Sequence, residues 1–147
     1  MLTYRSLPIN KGKRLVKLSF SFTPKSKYWR AGFKLISPND GIWPLSSALQ
    51  SLLFHLSNRG SDRKTIGIWR YTSKAIQPKT DLMSIKDREI TVEMNVNKNN
   101  YLSCYVNGEK YFNDKINPVL LERVCVLGWG DGKPCKVEFK NIEFETV

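Results

Sequence analysis

The sequence is short of the residues that most chemistry needs. It holds one histidine, His55, and three cysteines, Cys104, Cys125 and Cys135, none two residues from another. So few nitrogen and sulfur ligands exclude an ordinary structural zinc site, and an odd set of free thiols points to a reducing, cytoplasmic setting. Asn-x-Ser/Thr does not occur, which agrees with that setting. No run approaches the roughly 20 apolar residues that cross a bilayer. The opening MLTYRSLPINKGKR lacks the apolar centre of a secretory signal, so a soluble chain with no membrane insertion is expected.

Carboxylates are also scarce, and their distribution is uneven. Residues 1–74 hold 14 Lys and Arg against Asp40 and Asp62, whereas residues 75–147 hold 10 basic and 11 acidic residues. All of the net charge of +11 therefore resides in the first half, a field that favours anionic partners and informs association rather than fold. Glycoside hydrolysis needs two carboxylates roughly 5–10 Å apart. The nearest candidates, Glu89 and Glu93, have no acid between them and read as a solvated strand face, as do Glu138, Glu143 and Glu145. Asp40 and Asp131 precede glycines, where Asp is an ordinary turn former rather than a calcium ligand. No nucleophile motif, phosphate loop or dinucleotide fingerprint occurs, so neither an enzyme nor a cofactor is implied.

What the sequence does have is strand periodicity. In LVKLSFSF, Val16, Leu18, Phe20 and Phe22 share one face, and in YWRAGFKLI, Trp29, Ala31, Phe33 and Leu35 oppose Arg30, Gly32 and Lys34. That second strand reads as having a basic outer side. WPLSSALQSLLFHLS is mixed: a helical turn near 45–50 running into a strand near 51–57 is the expectation. Further alternating runs occupy 65–71, 90–96, 101–106, 109–112, 124–129 and 135–146. Asn107-Gly108 between two of them is a hairpin signal, because a type I′ turn needs positive φ at both central positions. A chain of 147 residues supports one core. At least eight short strands without crossover helices predict an all-β, two-sheet antiparallel sandwich with at most short helical turns, at 14–147, preceded by an arm at 1–13 where Pro8, Asn10 and Gly12 break the pattern.

YLSCYVNGEKYF followed by VLLERVCVLGWGDGKPCKVEFKNIEFE resembles the end of a concanavalin A-like or laminin-G-like lectin sandwich, in which an Asn-Gly hairpin precedes a strand carrying Gly-Trp and a last strand of the form V-x-F-x-N-I. The resemblance extends loosely back to residue 14. It implies a jelly roll of two curved sheets, the last strand paired near the first, with carbohydrate or protein ligands on the concave sheet or the rim loops.

Two functional readings follow. The first is a lectin-like module that binds a carbohydrate or other small polar ligand through Arg30, His55, Trp69, Tyr71 and Trp129. In TIGIWRYTS, Ile66 and Ile68 alternate with Gly67, Trp69 and Tyr71, and the isoleucines make the better inner face, leaving the aromatics outward. The second reading is a module for nucleic acid, acidic glycan or another polyanion, using Lys11, Lys13, Arg14, Lys17 and Lys34. A protein partner within a larger assembly stands behind both.

Overall fold

The computed structural model describes residues 2–36, 51–59, 64–70, 76–79, 89–130 and 134–147, with side chains described at 4–36, 51–57, 89–130 and 134–147. Eleven strands are present among them: β1 (Leu2–Ser6), β2 (Leu15–Pro24), β3 (Tyr28–Ile36), β4 (Ser51–Arg59), β5 (Lys64–Arg70), β6 (Ile76–Lys79), β7 (Ile90–Val96), β8 (Tyr101–Val106), β9 (Glu109–Lys115), β10 (Val124–Trp129) and β11 (Val137–Thr146). One 3-10 turn, Pro118–Glu122, is capped by Asn117, whose side chain accepts from the Val119 N–H. The expected helical turn near 45–50 lies outside the described residues.

The strands form two antiparallel sheets, six-stranded in the order β1-β10-β3-β4-β5-β6 and five-stranded in the order β11-β2-β7-β8-β9. As the sequence predicts, the last strand lies beside β2, with Phe139 opposite Phe22 and Phe144 opposite Leu18. The β8–β9 turn also forms as expected, with Asn107 at φ 49° and Gly108 at φ 84°. In β11 the register slips between Lys140 and Glu143, and Asn141 there takes φ 56°, the left-handed geometry of a bulge.

The arm expected at 1–13 is corrected. Residues 2–6 add an edge strand to the six-stranded sheet, Leu2 opposite Trp129 and Ser6 opposite Cys125, and Leu7 continues it by donating to the Val124 carbonyl at 3.0 Å. Backbone pairing rather than burial holds this strand: Tyr4 to Ser6 are exposed and Leu7 is the first core residue. A hydrophobic pattern therefore had little to show.

Between the sheets lies the core. Phe20, Phe22, Trp29, Phe33, Phe54 and Leu56 are buried there with Ile90, Val92, Met94 and Val126. Phe22 meets Trp29 edge-on at 5.4 Å, and Phe33 stacks on Phe54 at 5.6 Å. Each such side chain stabilises the fold by about 1.5–3 kcal/mol relative to exposure. In β3, Gly32 approaches β4 closely: a Cβ there would lie 1.9 Å from the Phe54 carbonyl oxygen.

Candidate functional site

The face of the six-stranded sheet turned away from the core carries most of the expected binding residues. Because Trp29, Ala31, Phe33 and Leu35 point into the core, alternation sends Arg30, Gly32, Lys34 and Ile36 to the other side of β3. On β4 the same rule opposes Leu52, Phe54 and Leu56 to Ser51, Leu53, His55 and Ser57, and on β10 it opposes Val124 and Val126 to Cys125, Leu127 and Trp129. Register brings these together: Arg30 pairs with Trp129 on one side and Ser57 on the other, and Gly32 pairs with His55.

Three of the five expected ligand residues thus form one cluster. The His55 and Trp129 rings meet edge-on at 5.2 Å across β3, where Gly32 contributes no side chain, and the Arg30 guanidinium lies 5.9 Å from the centre of the Trp129 ring. Among the side chains described on this face at β1, β3, β4 and β10, none is acidic. The rings are not open to water: His55 is 4 % and Trp129 3 % exposed, whereas Arg30 is half-buried. Trp69 lies on β5 in register with Leu53, and Ile66 and Ile68 are in register with Leu56 and Phe54; their side chains lie outside the described set. So does all of Tyr71, as do Asp40 and Asp131.

Lys34 requires a correction. It was expected on a basic outer surface, but it is 0 % exposed, in register with Cys125 and Leu53. Around it Ile36, Leu53, Cys125, Leu127 and Trp129 form a second buried apolar cluster. Alternation distinguishes the two faces of a strand, but it does not say that the second face is wet. Burial pushes the Cys125 thiol up to about 11, with Lys34 and then Arg123 opposing the shift, and burial raises Cys104 well above the usual thiol range. Neither sulfur is a thiolate nucleophile near neutrality.

The remaining basic residues divide. Lys11, Lys13 and Arg14 are exposed together at the end of the sandwich where β2 begins, whereas Lys17 is exposed on β2, opposite Asn95 and Glu145 in the five-stranded sheet. Sequence reasoning missed a cation that joins this end: Lys98, in the β7–β8 turn, lines a cavity with Arg14. No local signal links two residues so far apart in the chain, and Lys98 belongs to the half without excess charge.

The acidic candidates are apart from this face. Glu89 forms an ion pair with Lys140, whose hydrogen bond, against some burial, holds the carboxyl below its ordinary range. Glu93 sits opposite Ser19 and Tyr105 in the five-stranded sheet. A carboxylate kept ionised by a lysine is a poor general acid. Among the described residues no group of three or more His, Cys, Asp or Glu is placed to hold a metal ion, and no helix is long and apolar enough to cross a membrane.

Two antiparallel sheets with this strand order and a last strand beside β2 give the chain a concanavalin A-like β-sandwich fold. Solved structures similar to the chain include sheep galectin-11 in complex with glycerol, at 9 % identity over 99 % of this chain and 96 % of that one, with a TM-score of 0.60. The carbohydrate binding module CBM66 from Bacillus subtilis is similar at 10 % identity, over 91 % of this chain and 77 % of that one, with a TM-score of 0.55. An alginate lyase from Pseudomonas aeruginosa also shares the fold, at 14 % identity over 90 % and 65 %, with a TM-score of 0.53. No protein-family model and no curated protein matches the sequence.

Proposed function

We propose that the domain is a non-catalytic carbohydrate-binding module whose ligand meets the outward face of the six-stranded sheet at Arg30. The observation that carries this reading is the Arg30–Trp129–His55 cluster: the two buried rings position a half-buried guanidinium, whose planar donors suit sugar hydroxyls. The galectin and CBM66 structures give the fold a precedent for sugar recognition, and the dispersed, lysine-paired carboxylates speak against hydrolysis. Arg30 is then the contacting residue, with Trp129 and His55 as positioning residues. Trp69 and Tyr71, whose side chains lie outside the described residues, complete the proposed ligand set.

A glycan array followed by calorimetry on the intact chain tests this. Arg30→Ala should abolish measurable binding of the array hit with little change in melting temperature. Trp69→Ala should weaken it roughly tenfold or more, as loss of a stacking ring does. An array without hits, or a hit whose affinity survives Arg30→Ala, overturns the reading.

Lys11, Lys13 and Arg14, exposed together, support a second reading as a polyanion surface. Nucleic-acid affinity would then fall with salt at a log–log slope of about −0.7 to −0.9 per phosphate contacted. Absence of binding at low salt rejects it.

A further inference from the structure

Two cation–ring pairs stand side by side at the end of the six-stranded sheet where β3 begins and β10 ends. The Lys27 Nζ lies 5.7 Å from the centre of the Tyr28 ring, and the Arg30 guanidinium lies 5.9 Å from that of Trp129. Trp29 points into the core, so Tyr28 and Arg30 share the outward face, about 7 Å apart along β3. A ring holds a cation in place without neutralising it. Lys27 is exposed and in no ion pair among the described residues, and Glu138 at this end is already 4.0 Å from Lys25. Arg30 is half-buried, and its five donors leave room for a ligand beside the partners it has.

The charge extends beyond these two residues. Register brings together Tyr28 and Arg59, Arg30 and Trp129, and Asn58 and Lys64. In the sequence, residues 25–30, 58–64 and 129–137 hold eight Lys and Arg against Asp62 and Asp131. The turn that carries Lys27 is fixed before any ligand arrives. The Ser26 Oγ accepts from the Lys136 N–H and donates to the Tyr28 carbonyl, both at 2.8 Å, and the Lys25 N–H donates to the Lys136 carbonyl at 2.8 Å. Lysine and arginine side chains donate hydrogen bonds and accept none. A neutral sugar brings hydroxyls that need acceptors as well as donors, whereas an ionised acid group only accepts, and forms the stronger bonds with such cations.

We infer that the sugar taken by this face is acidic, its carboxylate or sulfate held between the Lys27 ammonium and the Arg30 guanidinium. The inference rests on the sheet face being a sugar site and adds the class of sugar. Arg30 supplies planar donors that can meet two oxygens of the anion at once, and Lys27 supplies a compact charge on a flexible stem. Lys11, Lys13 and Arg14 stand at the opposite end of the sandwich, where β2 begins rather than ends, so the two cationic surfaces are separately testable.

A glycan array carrying uronate-bearing, sulfated and neutral glycans, read with the intact chain, tests the inference. Uronate-bearing glycans, sulfated glycans or both should lead the hits, and which of them leads identifies the anion. Calorimetry then compares the leading hit with its own neutral form, the methyl ester of a uronate or the desulfated glycan, which should bind about tenfold more weakly or worse. Lys27→Gln should weaken the acidic glycan about tenfold, the loss expected for one charge-assisted hydrogen bond, with unchanged melting temperature and unchanged affinity for the neutral form. Lys110→Gln, which removes the same charge from the five-stranded sheet, should change neither affinity. Hits confined to neutral glycans, a neutral form bound as tightly as the acidic one, or acidic affinity unchanged in Lys27→Gln would overturn the inference and leave the face a sugar site. A single-stranded oligonucleotide bound more tightly than the acidic glycan, and weakened by Lys27→Gln, would overturn it in favour of nucleic acid. An array with no hits overturns both readings.

Discussion

His55 and Trp129 belong to different strands, β4 and β10, and touch only because β3 between them carries Gly32, so that their rings meet edge-on at 5.2 Å above it. The contact joins three strands of the six-stranded sheet on the side away from the core, and it fixes the ring over which Arg30 lies.

Gly32→Ala is expected to destabilise the domain by about 2–4 kcal/mol, because the added Cβ meets the Phe54 carbonyl and backbone must move. Urea denaturation measures this as a lowered midpoint. A change within about 0.5 kcal/mol, typical of surface substitutions, would mean that β3 and β4 separate easily.

Trp129→Ala should behave as a core truncation, costing about 3–5 kcal/mol, since the ring is 3 % exposed. Comparison with Arg30→Ala by thermal melting separates positioning from contact. The first variant should lose stability and sugar binding together, the second sugar binding alone.

The Glu89–Lys140 pair predicts a component of acid sensitivity. Glu89 titrates below its usual value in the folded chain, chiefly through Lys140, so its contribution is present above the unfolded value and is lost as pH falls through the folded one. Lys140→Gln should lower the denaturation midpoint slightly at neutral pH, and the difference should close as pH falls through the folded value, below which the carboxyl is protonated in both states. Both groups are solvent-exposed, so the difference is small. A gap that persisted in acid would assign it to packing by the Lys140 side chain.

At alkaline pH the sign is reversed for Tyr111. Burial, and then its hydrogen bond to Glu109 at 2.9 Å, push the phenol from 10 to about 12. The neutral phenol is favoured in the fold, so its contribution is complete below pH 10 and is lost as pH rises towards about 12. Ultraviolet titration should show a component near pH 12 that moves down in Glu109→Gln and vanishes in Tyr111→Phe.

Much of this architecture can be read from alternation. Residues 15–24, 28–36, 90–96 and 101–112 write their inner faces as every second apolar residue, and Asn107-Gly108 writes a turn that needs positive φ. The sheet face was legible only in part. His55, Arg30 and Trp129 could be placed on one side of their strands, but whether that side is wet depends on tertiary packing, which is why Lys34 was misread. The end cavity was not legible at all, because Arg14 and Lys98 become neighbours only when β2 and β7 pair.

The slip at Asn141 has a consequence for the company this molecule keeps. β11 is a ten-residue strand at the margin of its sheet, with one flank of backbone N–H and C=O groups unclaimed within that sheet. Such a margin is a template on which a second copy could add strand after strand. The extra residue at the slip breaks the regular spacing of those groups, and the exposed Glu138, Lys140, Glu143 and Glu145 alternate along the strand on either side of it. An incoming strand would find its hydrogen bonds out of step halfway along. The slip thus sets a built-in mismatch against strand addition at this open margin, and deleting Asn141 should remove it.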